Sequence, residues 1–181
     1  MDRDQEIEMV RDCQNGDRQA YGKLVKELEK PVYNAAYRML GNADEAADVA
    51  QTTFLKVFEN IDRYNPEFRL FSWTYRIAVN TAIDELKKRR RSVPLEDTAE
   101  SPTERPAEAV ERARLSDEVQ ATLMELTEDH RAVIVLRYFS DCSYDDIGRI
   151  LEIPEKTVKS RLYSARQQMR SRLEAHGVFS S

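Results

Sequence analysis

The stretch SYDDIGRILEIPEKTVKSRLYSARQQMRSRL, residues 143–173, contains two helical patterns separated by a short joint. Wound at about 100° per residue, the longer pattern places five apolar residues within one arc of about 80°. This arc, which we expect to be buried, contains Val158, Leu162, Ala165, Met169 and Leu173. The opposite face has almost no acid and carries several hydroxyl groups, and its residues are Lys156, Lys159, Ser160, Tyr163, Ser164, Gln167 and Arg170.

A short helix, a tight joint at Glu152–Pro154 and a longer basic helix form the pattern of a helix-turn-helix, whose second helix enters the major groove of DNA. Six basic residues and one acid lie between Ile153 and Leu173, although the whole chain has a formal net charge of -5. Positive charge is therefore concentrated where a polyanion would bind. For an isolated basic helix, a solvated surface is the alternative interpretation.

The composition is that of a globular protein, with 181 residues, 41% of them hydrophobic and 34% charged. No glycine-rich phosphate-binding spacing occurs, so the sequence does not indicate a nucleotide-binding enzyme. No apolar run approaches the length of a membrane span, so we expect a cytosolic protein. Cys13 and Cys142 are isolated thiols, and His130 and His176 are too scattered for a zinc site. We therefore expect free cysteines, no metal and no cofactor.

Helical periodicity occurs nearly everywhere and no strand pattern is convincing, so the sequence predicts an all-α fold. The N-terminal segment, residues 1–17, mixes acids and bases without an apolar core. Pro31 is expected to end one helix, Asp17–Glu29, and to start the next, which Gly41 and Asn42 end. Residues 43–61 and 71–91 are predicted as further helices, separated by a break at Asn65–Pro66.

Residues 92–114 differ in composition, being rich in Pro, Glu, Ala and Thr, and are predicted to form a flexible acidic linker. They separate two small helical domains, residues 1–91 and 115–181. In the second domain, helices are predicted over residues 115–126, 128–139, 143–151 and 153–173. Thr127 and Ser143 occupy N-cap positions, and Ser143 with Asp146 resembles a capping box.

Aromatic and cationic residues alternate around the break at Asn65–Pro66. The aromatic residues are Tyr64, Phe68, Phe71, Trp73 and Tyr75, and the cationic ones are Arg63, Arg69 and Arg76. Unstacked bases need aromatic faces for stacking and positive charge for the backbone, so this pattern favours single-stranded nucleic acid. Phe71, Trp73 and Tyr75 are also compatible with a place in the core, whereas Tyr64 and Phe68 are expected outside it.

Three motifs together resemble the bacterial sigma-70 family, and specifically the small extracytoplasmic-function (ECF) sigma factors. They are RMLGNADEAADVAQTTFLKVFENIDRY (residues 38–64), FSWTYRIAVNTAIDELKKRRR (residues 71–91) and SYDDIGRILEIPEKTVKSRLYSARQQM (residues 143–169). The resemblance covers roughly residues 15–175 and implies an initiation subunit of RNA polymerase. The first domain would then be sigma region 2 and the second sigma region 4.

The resemblance also implies the role of individual residues. Region 2 would bind the β′ clamp helices of core RNA polymerase through Asp48, Gln51, Phe54 and Leu55. It would capture and melt the −10 promoter element through Arg63, Tyr64, Asn65, Phe68, Arg69, Phe71, Trp73, Tyr75, Arg76 and Asn80. Region 4, which would also meet the β flap, would read duplex DNA at −35 through Lys156, Thr157, Lys159, Ser160, Tyr163, Ser164 and Gln167.

An anti-sigma factor is a further partner that the resemblance implies, and it would hold the protein near the membrane without membrane insertion. The chain departs from the family pattern at Thr74, where Leu is common, and at Lys156, where Gly is common. No catalytic constellation is evident around either histidine, so we expect no enzyme activity. Two other hypotheses remain, a conventional helix-turn-helix regulator that binds duplex DNA unaided and a helical adaptor protein.

Overall fold

The computed structural model describes residues 2–91 and 107–175, with side chains described from Arg114 onward in the second range. Every regular element within these ranges is helical, which confirms the all-α prediction. The helices are α1 (Arg3–Gln14), α2 (Arg18–Leu40), α3 (Ala43–Asn60), α4 (Leu70–Arg91), α5 (Ala107–Met124), α6 (Glu128–Ile134), α7 (Tyr144–Leu151) and α8 (Glu155–Ala175). A 3₁₀ turn, Ile61–Arg63, follows α3, and a π-helical segment, Val135–Phe139, continues α6. Among the described residues, none of the helices combines the length and apolar character needed to cross a bilayer.

Helices α2, α3 and α4 pack against one another and enclose the core of the first half of the protein, residues 2–91. The second half is residues 107–175. Gly41 ends α2 with φ at 72°, in the left-handed region that favours glycine. Asn42 then caps α3, because its side-chain oxygen accepts a hydrogen bond from the N–H of Glu45 at 3.0 Å. Helix α4 turns an apolar stripe toward this core. Its buried members are Tyr75, Ala78, Val79 and Ala82, and its half-buried members are Ile83 and Leu86.

The predicted helix break at Pro31 is wrong, because α2 runs through the proline without interruption. A proline inside a helix removes one hydrogen bond, here to the carbonyl of Glu27. Glu27 is exposed, so water can reach that part of the helix. The buried face of α2 continues on both sides of the proline and includes Leu24, Leu28, Val32, Ala35, Ala36 and Met39. Packing of this face therefore outweighs the local preference of the proline.

Helix α1 was not predicted, because its buried face is short and includes a carboxylate. Asp2 and Gln5 begin the helix with a reciprocal capping box, in which each side chain accepts from the other residue's N–H. Val10 and Cys13 are buried against the first half, and Glu6 is buried with them. The N-terminal segment, which has few apolar residues, therefore forms a helix that packs against α2 and the 3₁₀ turn.

Helix α8 contacts α5, α6 and α7 and forms the centre of the second half. The predicted caps are confirmed, since Thr127 accepts from the N–H of His130 and Ser143 from that of Asp146. Helix α5 begins at Ala107, earlier than the predicted start at Leu115 and inside the predicted linker. Residues 92–106, the rest of that linker, lie outside the described residues.

The two halves pack directly against each other, with α7 on α4 and with α5 and the π-helical segment on α2. Arg38 of α2 takes part in this contact, donating to Gln120 at 3.0 Å and to Ser116 at 3.3 Å. Its guanidinium also lies 4.6 Å from the ring centre of Phe139. The contact between the halves therefore combines polar and aromatic interactions.

Candidate nucleic-acid and protein interfaces

Local hydrogen bonds fix both the start of α7 and the turn between α7 and α8. The Ser143 hydroxyl accepts from the N–H of Asp146 at 3.1 Å, and the Asp146 carboxylate accepts from the N–H of Ser143 at 3.1 Å. Glu152 ends α7 in the left-handed region, and the N–H of Ile153 donates to the carbonyl of Gly148 at 3.0 Å. A Cβ at position 148 would lie 2.9 Å from the Ile153 oxygen, so the turn requires glycine. The helix-turn-helix is therefore present, as predicted.

Helix α8 has the two faces that its sequence predicts. The buried face contains Val158, Leu162, Ala165 and Leu173, with Met169 half-buried. The exposed face contains Lys156, Lys159, Ser160, Tyr163, Ser164, Gln167 and Arg170, and Thr157 lies at its margin. Tyr163 is 61% exposed, so its ring is accessible to a partner.

Lys159 is already paired on this exposed face of α8. Its Nζ lies 2.6 Å from Glu155 Oε1 and 5.9 Å from the ring centre of Tyr144. The hydrogen bond to Glu155 raises the pKa of Lys159, so the side chain is a cation at neutral pH. Exposed ion pairs of this kind are weak, and a phosphate group can replace the carboxylate. This part of α8 can therefore bind an anion.

The aromatic loop, Tyr64–Phe71, runs from the 3₁₀ turn into the first turn of α4. The expectation that Tyr64 lies outside the core is wrong, because Tyr64 is only 5% exposed. Its ring packs edge-on against Trp73 at 5.4 Å, and its hydroxyl donates to the carbonyl of Phe68 at 2.6 Å. Burial is the main cause that raises the pKa of Tyr64 to about 12. Phe68 is exposed, as expected.

The polar residues of the aromatic loop lie at its surface. Asn65 and Arg69 are exposed, as is Arg63 in the 3₁₀ turn before the loop. The Asn65 side-chain oxygen accepts from the N–H of Glu67 at 2.9 Å, which closes a local turn around the proline. This turn keeps the chain out of helical geometry and so presents Phe68 to solvent.

The aromatic residues at the start of α4 divide between core and surface. Tyr75 is buried, and its hydroxyl donates to the carbonyl of Pro31 at 3.0 Å. Phe71 packs on Tyr75 with ring centres 4.1 Å apart, and Phe71 and Trp73 are half-buried. Farther along α4, Arg76 and Asn80 are exposed. A partner can therefore reach Phe68, part of Phe71 and Trp73, and the polar residues beyond them.

Phe68, Phe71 and Trp73 form an aromatic surface on the first half. Helix α7 covers part of it, a contact that the sequence did not predict. The Ser72 hydroxyl donates to Asp146 Oδ1 at 3.2 Å. Arg76 Nη2 lies 2.7 Å from Glu152 Oε1. The guanidinium of Arg149 lies 5.6 Å from the ring centre of Phe68. The helix-turn-helix of the second half therefore lies against the aromatic surface of the first half.

The α3 face is a third candidate interface, formed by Asp48, Gln51, Leu55 and Phe58, all of them exposed. Leu55 is 57% exposed and Phe58 58% exposed, which is unusual for apolar side chains of this size. Phe54, in contrast, is buried, and its carbonyl accepts a hydrogen bond from the Tyr21 hydroxyl at 2.5 Å. A direct contact of Phe54 with a partner is therefore not supported, and Phe58 takes its place on the surface.

The described ranges, 2–91 and 107–175, contain neither a candidate metal site nor a reactive cysteine. No group of three or more His, Cys, Asp or Glu side chains that could hold a metal ion occurs there. Cys13 and Cys142 are both buried and unpaired. Burial is the largest cause that raises the pKa of both thiols, to about 12 for Cys142, so neither is poised as a nucleophile.

Comparison with known proteins identifies both halves of the chain. The family models for Sigma-70 region 2 and Sigma-70, region 4 match residues 24–92 and 116–169. The ECF RNA polymerase sigma factor SigW of Bacillus subtilis is 34% identical, covering 91% of this chain and 94% of its own. The structure of CnrH with the cytosolic domain of CnrY has a TM-score of 0.74 at 24% identity, over 94% and 98% of the two chains. The sigma factor RpoE of Bartonella quintana, solved with the anti-sigma factor NepR, has a TM-score of 0.71 at 23% identity, over 85% and 96%.

Proposed function

Because this chain belongs to the ECF sigma factors of the sigma-70 family, we propose that it directs core RNA polymerase to promoters with −10 and −35 elements and opens the −10 DNA. The observation that carries the proposal is the exposed basic and hydroxyl face of α8, held by the helix-turn-helix. The aromatic surface of the first half supplies a second, different nucleic-acid interface. A conventional regulator binds duplex DNA through its helix-turn-helix and does not need that second interface.

The −35 element is proposed to bind along the exposed face of α8. Lys156 and Thr157 lie in the first turn, where main-chain N–H groups and the helix dipole favour a phosphate. Lys159 would release Glu155 and bind a phosphate or a guanine edge. Four further side chains follow along the same face and complete the proposed contact, namely Ser160, Tyr163, Ser164 and Gln167.

The −10 element is proposed to bind at the aromatic loop and the start of α4. Phe68 would stack on an extruded base, with Phe71 and Trp73 beside it, and such stacking contributes about 1–3 kcal/mol per base. Extruding a base costs a few kcal/mol, so a small number of contacts is enough to favour opening. Tyr64 and Tyr75 would support this surface from beneath. The polar contacts are assigned to Arg63, Asn65, Arg69, Arg76 and Asn80.

Core RNA polymerase is proposed to bind the α3 face through its β′ clamp helices. Leu55 and Phe58 supply apolar anchors, and Asp48 and Gln51 supply polar contacts at the edge. Phe54 would act indirectly, by supporting the helix from the core. The β flap is proposed to occupy a groove of about 660 Å³ in the second half, lined by Val119, Ile134, Tyr138, Phe139, Arg166, Met169, Arg170, Leu173 and Glu174.

Promoter binding requires the two halves to separate, because α7 covers part of the aromatic surface. The polymerase would hold the separated halves at a fixed distance, which raises the effective concentration of the second DNA contact. An anti-sigma factor is the proposed antagonist, since RpoE of Bartonella quintana was solved with such a partner. The proposed place of action is the cytoplasm, without membrane insertion.

In vitro transcription with bacterial core RNA polymerase on a random-promoter library tests the function directly. We expect the added protein to select templates with a shared pair of elements and to produce defined starts. A gel shift without polymerase tests the regulator hypothesis, since a conventional regulator binds its duplex unaided. Strong duplex binding by the free protein, with no effect on core polymerase, would reject the proposal.

The α3 face is tested by Leu55→Ser, with Leu115→Ser as the matched control. Both leucines are exposed, at 57% and 47%, but Leu115 lies on α5, away from the proposed clamp contact. We expect the Leu55 variant to lose binding in a pull-down with core polymerase and the Leu115 variant to retain it. Equal binding by both variants would move the polymerase contact elsewhere.

A further inference from the structure

We propose that Glu6 of α1 is a positioning residue for −10 recognition, because its buried carboxylate holds the aromatic loop and the first turn of α4 in place. This inference rests on the proposed function. Neither the sequence patterns nor the family resemblance assigns a role to α1. The nearest residues of the loop are 58 or more positions away along the chain, so the relationship exists only in the folded protein.

The Glu6 carboxylate is 3% exposed and accepts hydrogen bonds from four residues. Oε1 accepts from the N–H of Leu70 at 2.5 Å, from Arg3 Nη1 at 2.7 Å and from the Tyr64 hydroxyl at 3.2 Å. Oε2 accepts from Arg69 Nε at 2.9 Å. Two arginines thus balance one buried carboxylate, which is the condition for burying such a charge.

Leu70 is the first residue of α4, and helix N-termini leave main-chain N–H groups without partners. Glu6 satisfies one of these groups from a different helix. A carboxylate is also favoured there by the helix dipole. Glu6 therefore sets where α4 begins, and α4 carries Trp73 and Arg76 of the proposed −10 surface.

The path of the chain at Phe68 depends on the same group. The carbonyl of Phe68 accepts from Arg3 Nη1 at 2.7 Å and from the Tyr64 hydroxyl at 2.6 Å. Both donors also contact Glu6 Oε1, and the single Tyr64 hydroxyl proton is shared between this oxygen and the Phe68 carbonyl, so the carboxylate orients both side chains. Phe68 is the exposed ring of the loop, and its position is thereby connected to Glu6 through two side chains.

The attachment of α1 itself does not depend on Glu6 alone. Val10 and Cys13 are buried against the first half, and the Gln14 side chain donates to the carbonyl of Ile61 at 2.9 Å. A conservative change at Glu6 should therefore leave the helix docked. The effect of such a change on the loop can then be separated from loss of folding.

The test is Glu6→Gln in the full chain, with Glu8→Gln, an exposed residue of the same helix, as the matched control. Glutamine retains an acceptor for Leu70 but loses the charge that holds Arg3 and Arg69. Charge-assisted hydrogen bonds are about twice as strong as neutral ones. We expect the Glu6 variant, in holoenzyme, to bind a single-stranded −10 oligonucleotide about tenfold more weakly, with unchanged core binding and −35 dependence.

Fluorescence of Trp73 supplies a readout that a general loss of stability does not explain. Trp73 is the single tryptophan of the chain and lies 5.4 Å from the Tyr64 ring. In the folded protein we expect the Glu6 variant to show altered emission and greater acrylamide quenching, and the Glu8 variant to match the parent. Unchanged emission together with normal −10 binding by the Glu6 variant would overturn the inference.

Phe68→Ala separates this inference from the proposed function. If Phe68→Ala weakens −10 binding and Glu6→Gln does not, the positioning role is rejected and the −10 surface stands. If neither change affects −10 binding or promoter opening, the proposed −10 surface itself is rejected. Should Glu6→Gln prevent folding, Arg3→Gln, which removes a donor of the same network that is not assigned to DNA, replaces it with the same Trp73 readout.

Discussion

Arg131 of α6 donates a hydrogen bond to the main-chain carbonyl of Met39, at the end of α2, at 2.5 Å. The same guanidinium donates to the carbonyls of Leu123, Met124 and Leu126 at 2.8, 2.7 and 3.0 Å. Arg131 is only 5% exposed, and burial is the main cause that lowers its pKa. Helix ends leave carbonyls without N–H partners, and one side chain here supplies donors at the ends of α2 and α5. Arg131 thereby connects the two halves.

Replacing Arg131 with Met should loosen this connection. Several buried carbonyls would lose a charged donor, so we expect Arg131→Met to lower the free energy of unfolding by about 3 kcal/mol. We also expect a larger radius of gyration, measured by small-angle X-ray scattering. The matched control is Arg137→Met, since among the described residues Arg137 donates within the second half, to the carbonyl of Cys142 at 2.9 Å. An unchanged radius for the Arg131 variant would show that other contacts hold the halves together.

Thr74 offers a stabilising substitution. It is fully buried in α4, and its hydroxyl has no hydrogen-bond partner among the described residues. An unsatisfied buried polar group costs about 1–3 kcal/mol, and valine has nearly the same shape. We expect Thr74→Val to raise the free energy of unfolding by about 1 kcal/mol in chemical denaturation.

Thr53 is the control for this substitution. It is equally buried, but its hydroxyl donates to the carbonyl of Val49 at 2.7 Å. Thr53→Val should therefore give no gain in stability. A similar gain from both variants would show that the missing hydrogen bond at Thr74 is not the cause.

Lys159 and Arg170 allow a charge-matched test of the proposed −35 face. Both are exposed cations on α8 that pair with a glutamate four residues away, Glu155 at 2.6 Å and Glu174 at 2.7 Å. Lys159 lies within the stretch proposed to contact DNA, residues 156–167, and Arg170 lies beyond it, at the groove proposed for the β flap. We expect Lys159→Ala to reduce dependence on the −35 sequence and to lower the slope of log affinity against log salt by about one.

Arg170→Ala should leave both quantities close to those of the parent protein in preassembled holoenzyme at saturating core polymerase, where the proposed β flap contact of Arg170 does not limit assembly. Both substitutions remove one positive charge from α8, and they differ in where along the helix that charge lies. Equal effects of the two substitutions would indicate that the helix acts only through its total charge, and would contradict the assigned reading face.

What the sequence predicted correctly depends on local pattern. The buried face of α8, the caps at Thr127 and Ser143 and the turn at Gly41 each depend on residues within a few positions of one another. What it missed depends on packing against other parts of the fold. Tyr64 is buried because its ring packs on Trp73 and its hydroxyl contacts Glu6. Pro31 lies within a helix because the buried face of α2 continues on both sides of it. Burial of a polar or aromatic side chain is decided by such tertiary partners, which periodicity does not reveal.

Cys142 should make stability depend on alkaline pH. Burial, followed by the nearby acids Asp146 and Asp141, raises the pKa of this thiol from 9.0 to about 12. The neutral thiol is favoured in the folded state, so this contribution is fully present below about pH 9 and is lost as pH rises toward about 12. Tyr21, Tyr64 and Tyr75, whose pKa values burial also raises to about 12, act in the same direction.

The contribution of the thiol is isolated by comparing the parent with Cys142→Ala, which keeps all three tyrosines. We expect the variant to lose less free energy of unfolding than the parent between pH 9 and pH 12, measured by urea denaturation across that range. The native thiol should also react slowly with a disulfide reagent at neutral pH, because little thiolate is present and the side chain is 2% exposed. Identical pH dependence of the two proteins, or rapid reaction of the native thiol, would contradict this account of Cys142.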